Sequence, residues 1–365
     1  MPFSSVLGAN TVIKPGVCTS ITRPASPYDG QVIYMTDVDQ TAVWDGTQWT
    51  VLAPIAGGRN VIINGAMNVW QRGTSISVPN NNYSYYVVDR WNLTNGAVSG
   101  NAHTVSRQAT SDTTNLPNIQ YCARVQRNSG QTNTNGSSFA TFVETVNAVA
   151  LAGKTVTLSF YARAGANYSP TSSILVSTIY TGTGTDQNNI TGTYTGEVST
   201  NTNHTLTTTW KRFTASVTFP SNETEISVRF LASCTGTAGA NDYYEITGVQ
   251  LEAGAVATPF EFEDYGTTLD KCQRYYESVS WGIYYAAALA GTDIYLPLSY
   301  RVTKRVAPTV TLPSSTNAIR NTSNANATPI YAWTTNGTTD MFNIYAGSSS
   351  IWAINAGTAT ASAEL

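Results

Sequence analysis

Three stretches of this 365-residue chain alternate apolar and polar side chains with little interruption: residues 154–163 (KTVTLSFYAR), 210–219 (WKRFTASVTF) and 225–231 (EISVRFL). A period of two sends successive side chains to opposite faces of a strand, so each stretch has one face to bury and one to solvate. That pattern belongs to antiparallel sheets, because the strands of parallel sheets are buried on both faces and read as continuous apolar runs. Strand signals of this kind, separated by Gly- and Asn-rich turns, recur through 60–262 with almost no helical periodicity. Two sheets packed face to face satisfy the pattern, and the fold class expected is all-β.

Shorter units flank this region. Residues 31–35, 41–44 and 49–52 read as three strands of a β-meander, joined by TDVDQ and DGTQ turns, with Trp44 and Trp49 facing each other across the second turn. Asp37 and Asp39 invite a calcium-loop reading, but Ala42 stands where an EF-hand needs Gly, so a plain turn is expected. Residues 53–58 form a linker. At the other end Gly254 and Pro259 punctuate the chain, and Leu269, Cys272, Tyr275 and Tyr276 recur at helical spacing before strand signals resume at 281–285, 294–298, 310–312, 330–333, 341–345 and 351–354. Three parts follow: 1–58, a meander and linker; 59–263, a large β-sandwich; and 264–365, a short helix and a small β-domain. The cations Arg301, Lys304 and Arg305 are expected on a solvated edge.

Composition narrows the function. Charged residues make up 11% of the chain, net charge is −3, and no block of Lys or Arg occurs, so there is no footprint for binding a phosphate backbone. No run approaches the roughly 18 apolar residues of a spanning helix, and the first residues lack the pattern of a signal peptide. Cys18, Cys122, Cys234 and Cys272 are scattered without a C-x-x-C pair and are expected as free, mostly buried thiols. His103 and His204 are isolated among polar residues with no catalytic motif around them, and both are expected in exposed loops. No catalytic residue and no cofactor is assigned, and the chain is not expected to be an enzyme. A carboxylate pair of glycosidase type would leave no spacing signal in an all-β chain.

The string QLEAG...ATPFE...Y...L..CQRYY at 250–276 resembles the junction of phage tail-fibre and other virion structural proteins. Asn64-Gly65 through Trp70-Gln71-Arg72-Gly73, with Asp89-Arg90-Trp91 downstream, is similar to the opening of the β-sandwich in those proteins. Residues 23–49, from Arg23-Pro24 to Trp44-Asp45-Gly46 and Trp49, resemble a short module near the start of fibre proteins, and 300–310 looks like the R..PTV element that follows the junction. The resemblance implies a jelly-roll sandwich related to carbohydrate-binding modules, a homotrimer, a virion protein made in the host cytoplasm, attachment to other virion proteins through the N-terminal region, and a host-surface glycan as ligand. It also raises a structural calcium at the ends of the first and last sandwich strands, where Asn64, Asn68, Asp242 and Glu245 stand; no metal is expected there, because Asn68 occupies a position that is often acidic in the family.

Flat aromatic rings stack on pyranose faces while amides and charged groups take the hydroxyls. Tyr83, Tyr85 and Tyr86, with Tyr168, Tyr180 and Tyr194 in or beside loops, are therefore the candidate glycan contacts. The polar stretch 181–207 is placed at the surface as loop and edge strand. Trp70, Trp91 and Trp210 are assigned to the core, and Leu269, Cys272, Tyr275 and Tyr276 to a domain or subunit junction. A head decoration, collar or other tail-associated structural protein without a receptor role, and a glycan depolymerase, remain the alternative functions.

Overall fold

The computed structural model describes residues 16–37, 40–51, 58–79, 84–96, 101–116, 118–282, 284–285, 294–312, 319–321, 331–333, 338–346, 351–354 and 357–365. Tyr83, Val38, Asp39 and most of the linker lie outside them. The chain begins with a four-stranded sheet, β1 (Gly16–Cys18), β2 (Val32–Met35), β3 (Gln40–Trp44) and β4 (Trp49–Val51), in that order. The meander is present as read, with Trp44 and Trp49 edge to face at 5.6 Å. It gains a parallel strand, β1 on β2, too short to leave an alternation signal. Asp37 ties the sheet by accepting the Ser20 backbone N–H at 2.7 Å and its hydroxyl at 2.5 Å.

The central sandwich contains β5 (Ser75–Val78), β6 (Tyr85–Tyr86), β7 (Trp91–Thr94), β8 (His103–Ala109), β9 (Tyr121–Arg127), β10 (Ser137–Val143), β11 (Thr155–Ala164), β12 (Ile174–Gly182), β13 (Val198–Thr205), β14 (Lys211–Thr218), β15 (Glu225–Ala232) and β16 (Tyr243–Ala253). One sheet has the order β13-β12-β15-β10-β7-β6 and the other β14-β11-β16-β9-β8-β5, so the chain crosses repeatedly between them in jelly-roll fashion. The alternation is realised: Val156, Leu158, Phe160 and Ala162 of β11 and Ile226, Val228 and Phe230 of β15 are buried between the sheets with Trp91, Phe139 and Leu251. A four-residue helix, α1 (Thr145–Ala148), follows β10.

Both histidines depart from the exposed placement expected of them. His103 begins β8 at 1% exposure with Nδ1 3.0 Å from Asn101 O, and His204 in β13 is 5% exposed, with Nε2 2.8 Å from Ser177 Oγ and its ring edge-on to Phe160. Each falls on the inward parity of its strand, which outweighs the polar neighbours. The stretch 181–207 is also only partly the surface loop expected. Its second half is the edge strand β13, but 183–197 folds back over the outer face of the first sheet, burying Asn189 and Tyr194. Asn189 is held by Ser227 Oγ at 3.0 Å and by the Arg229 guanidinium.

After the sandwich, Asp264 caps α2 (Tyr265–Gln273) by accepting the Thr267 N–H at 3.0 Å. The distal part contains β17 (Tyr276–Trp281), β18 (Tyr284–Tyr285), β19 (Ile294–Ser299), β20 (Thr309–Thr311), β21 (Ile319–Asn321), β22 (Tyr331–Trp333), β23 (Met341–Ala346), β24 (Ile351–Ile354) and β25 (Gly357–Ser362), in three three-stranded sheets. Val279, Trp281, Tyr300, Phe342, Ala359 and Ala361 form its core. The cations at 301–305 do not make the solvated edge expected of them. Lys304 is 1% exposed and pairs with Glu277 at 2.5 Å, and Arg305 reaches Asp186 at 3.0 Å and the carbonyls of Ala363 and Glu364. Only Arg301 of the three is exposed, because this segment is a turn-rich connection from β19 to β20 that packs on Glu277 and Asp186, and not a strand.

Candidate functional site

The motif NGAMNVWQRG…DRW forms a knot at the junction of sandwich and distal sheets. Asn64, in the left-handed region at φ 58°, donates to Val69 O and Asp89 O and accepts the N–H groups of Asn68 and Val69, each at 2.9–3.0 Å. Gly65 passes so close to β16 that a Cβ there would stand 2.1 Å from Val249 O. Asp89 receives Gln71 through its backbone N–H and side-chain amide, and the Arg72 guanidinium lies 3.5 Å above the Tyr276 ring. Arg90 stacks on Tyr275 at 3.6 Å. Of the four residues named for a junction, Tyr275 and Tyr276 thus meet arginines of the sandwich; Cys272 and Tyr275 are buried and Leu269 and Tyr276 half-buried. Tyr275 also donates to Glu144 at 2.8 Å, which Arg274 holds at 2.6 Å.

The described Tyr candidates do not converge. Tyr85 is exposed on the two-residue edge strand β6. Tyr86 beside it donates to Leu365 O at 2.8 Å, and burial and the Glu364 charge push its phenol up. Tyr168 packs on the main core, donates to Ile174 O at 3.2 Å and lies edge-on to Tyr244. Tyr180 is covered by the Arg229 guanidinium at 4.4 Å, and Tyr194 is 3% exposed. The middle of the first sheet's outer face is thus covered by its own loop, while Ser199, Asn201 and Asn203 of the edge strand β13 stay exposed.

The outer face of the second sheet is different. Register places Arg163 of β11 opposite Glu245 of β16, and Glu245 opposite Arg124 of β9, so the three form a row across adjacent strands. Arg124 gives Nε and Nη2 to Glu245 Oε1 at 2.9 and 2.6 Å, and Arg163 gives Nε to Oε2 at 2.5 Å. Glu245 is fully buried, whereas both arginine side chains are 28% exposed. The rings at either end of the row are already used: Arg124 lies 4.0 Å over Tyr243 and Arg163 5.0 Å from Trp210. Trp210 belongs, as expected, to buried packing, but in a cluster outside the sandwich with Leu116, Ile119 and Cys122. Beyond Arg124 the same face continues through the half-buried Gln126, Thr104, Ser106 and Gln108 to the exposed Ser75 and Ser77 of the edge strand. This surface is made of guanidinium, amide and hydroxyl groups and suits hydrogen bonding to a polyol or an anion rather than ring stacking.

No single spacing in the chain marks these residues. Their common signal is outward parity in three separate alternating strands. The four residues weighed for calcium do not assemble: Glu245 serves the arginines, Asp242 meets Arg127 at 3.2 Å and the Ser169 N–H at 2.9 Å, and Asn64 is committed to backbone groups. A groove of about 560 Å³ beside Val61, Ile63, Val146 and Arg274, and one of about 300 Å³ between β4 and residues 256–259, contain none of the expected Tyr contacts. Among the described residues no helix is long and apolar enough to cross a membrane.

No protein-family model matches the chain, and no curated protein sequence does. Among solved structures it is similar to a tailspike protein of bacteriophage CBA120, at 14% identity over 53% of this chain and 21% of that one, with a TM-score of 0.32. It is also similar to a xylan-binding domain from Paenibacillus barcinonensis, at 14% identity over 50% and 95% of the two chains and a TM-score of 0.31. The adhesin domain of a Lys-gingipain from Porphyromonas gingivalis gives 14% identity over 51% and 100%, with a TM-score of 0.27. The chain thus spans about a fifth of the tailspike's length.

Proposed function

We propose that the chain is a phage virion protein of tail-fibre type whose sandwich binds a host-surface glycan through the outer face of its second sheet. The observation that carries the binding reading is the Arg124–Glu245–Arg163 row, held rigid by a buried carboxylate and half open to solvent, continuous with Gln126, Ser106 and Thr104. A preorganised fork of N–H donors on a strand scaffold loses little entropy when it takes a sugar hydroxyl or carboxylate. The virion assignment is supported by the resemblance of 250–276 and of the Asn64–Trp91 motif to fibre-protein junctions, and it includes assembly as a trimer and attachment through the N-terminal region. Both Glu245 oxygens are engaged by arginines, so the one carboxylate in the row is not free to protonate a glycosidic oxygen, which favours binding over hydrolysis. Glycan-array binding by the whole chain tests this reading, and labelling of intact particles with an antibody to the chain tests the virion assignment.

A further inference from the structure

Two buried carboxylates stand apart from all others among the described residues. Asp89, Glu144, Asp242, Glu245 and Glu277 each face a cation, and Glu252 accepts the Thr258 N–H and hydroxyl and the Gln250 amide. Glu223, in the turn before β15, and Glu225, its first residue, are each 1% exposed and face no cation. Both oxygens of Glu223, and Oε2 of Glu225, are sealed from solvent and have no hydrogen-bond donor. Glu225 Oε1 alone is served, by the Gln187 N–H at 3.1 Å and the Thr145 hydroxyl at 3.3 Å.

Burying an ionised carboxylate without a counter-charge costs several kcal/mol, and a second one beside it adds repulsion. A proton shared between the two groups would leave at least one of the three orphan oxygens without a partner, whereas a hard cation can take oxygens from both carboxylates. We propose that Glu223 and Glu225 bind a divalent cation of the calcium class. Three features of the surroundings suit that ion. The donors are oxygen only, Thr145 Oγ1 stands at the same carboxylate, and Asp186 adds negative charge nearby. The groups at the pair are carboxylate and hydroxyl oxygens with no thiolate or imidazole among them, a donor set that disfavours zinc. The site would pin the β14–β15 turn and α1 to the loop that covers the first sheet, since Asp186 already exchanges bonds with Thr145 at 2.8 and 2.9 Å.

The test is urea and thermal unfolding of the whole chain at pH 7, in calcium and in EGTA, with calorimetric titration of calcium alone. The expected result is a midpoint higher in calcium than in EGTA by roughly 5–10 °C at about 100 times Kd. Glu223→Gln and Glu225→Gln should each remove the calcium response, and Glu223→Gln should raise stability in EGTA because a neutral amide replaces a buried carboxylate. Equal stability of the wild type in calcium and EGTA, with no heat of binding, would overturn the proposal. A calcium response that survives in Glu223→Gln would overturn it too.

Discussion

Arg90 Nη1 meets Glu364 Oε2 at 2.5 Å, although the two residues lie 274 positions apart and the guanidinium is 1% exposed. Arg72 reaches the other oxygen of the same carboxylate at 2.9 Å. One acidic side chain from the strand end after β25 thus neutralises two arginines of the sandwich's opening motif. Glu364→Ala should leave a buried guanidinium short of its counter-charge and cost roughly 3–5 kcal/mol. Urea unfolding followed by Trp fluorescence measures this, and a midpoint within error of wild type would show that the latch carries no stability.

Asn64 and Gly65 make the second prediction. All four hydrogen-bonding positions of the Asn64 amide are used inside the knot, so Asn64→Ala strands backbone groups and should cost on the order of 3 kcal/mol. Gly65→Ala should be at least as damaging, because the added methyl would collide with the Val249 carbonyl and part β16 from the opening segment. Thermal midpoints of the two variants check both.

Acid should unfold the sandwich through its histidines. Burial pushes His103 and His204 down to about 4, below the 6.5 of the free imidazole. A group kept neutral in the fold contributes stability that is present above pH 6.5 and lost as pH falls toward 4, on the order of 3 kcal/mol for each ring. Denaturant midpoints at pH 7 and 4.5 measure this loss. A midpoint that does not fall would mean that the imidazoles are solvated.

The sandwich strands were legible because side-chain period is a local property: residues 154–163 and 225–231 carry their inward and outward faces in the order of their letters. The junction was legible through Cys272 and Tyr275, whose spacing suits one helical face. Three things were not. Lys304 reads as a solvated cation until the packing of the β19–β20 connection on β17 brings Glu277 to it. His103 and His204 are polar letters on inward parity, and composition outweighed parity in the reading of them. The candidate face depends on the register of β9, β11 and β16, which joins Arg124, Arg163 and Glu245 from three distant segments. Tyr-rich loops read as binding surfaces, yet Tyr86 and Tyr168 are committed to internal hydrogen bonds and Tyr194 to burial under its own loop, which only the folded chain reveals.

The arginines need a probe that separates contact from stability, since removing either leaves Glu245 buried with one partner. Arg163→Lys and Arg124→Lys keep the charge against Glu245 but lose the forked donors, and each should weaken glycan binding about tenfold with little change in unfolding midpoint.

The most direct measurement is glycan-array binding of the wild-type chain beside Ser106→Trp and Tyr85→Ala. Ser106 points outward from the middle of the open face, so a Trp there blocks ligand without touching the core, whereas Tyr85 lies on the edge of the other sheet. The account predicts binding by the wild type and by Tyr85→Ala, and its loss in Ser106→Trp. Binding that survives in Ser106→Trp, or no glycan bound by the wild type, would contradict it.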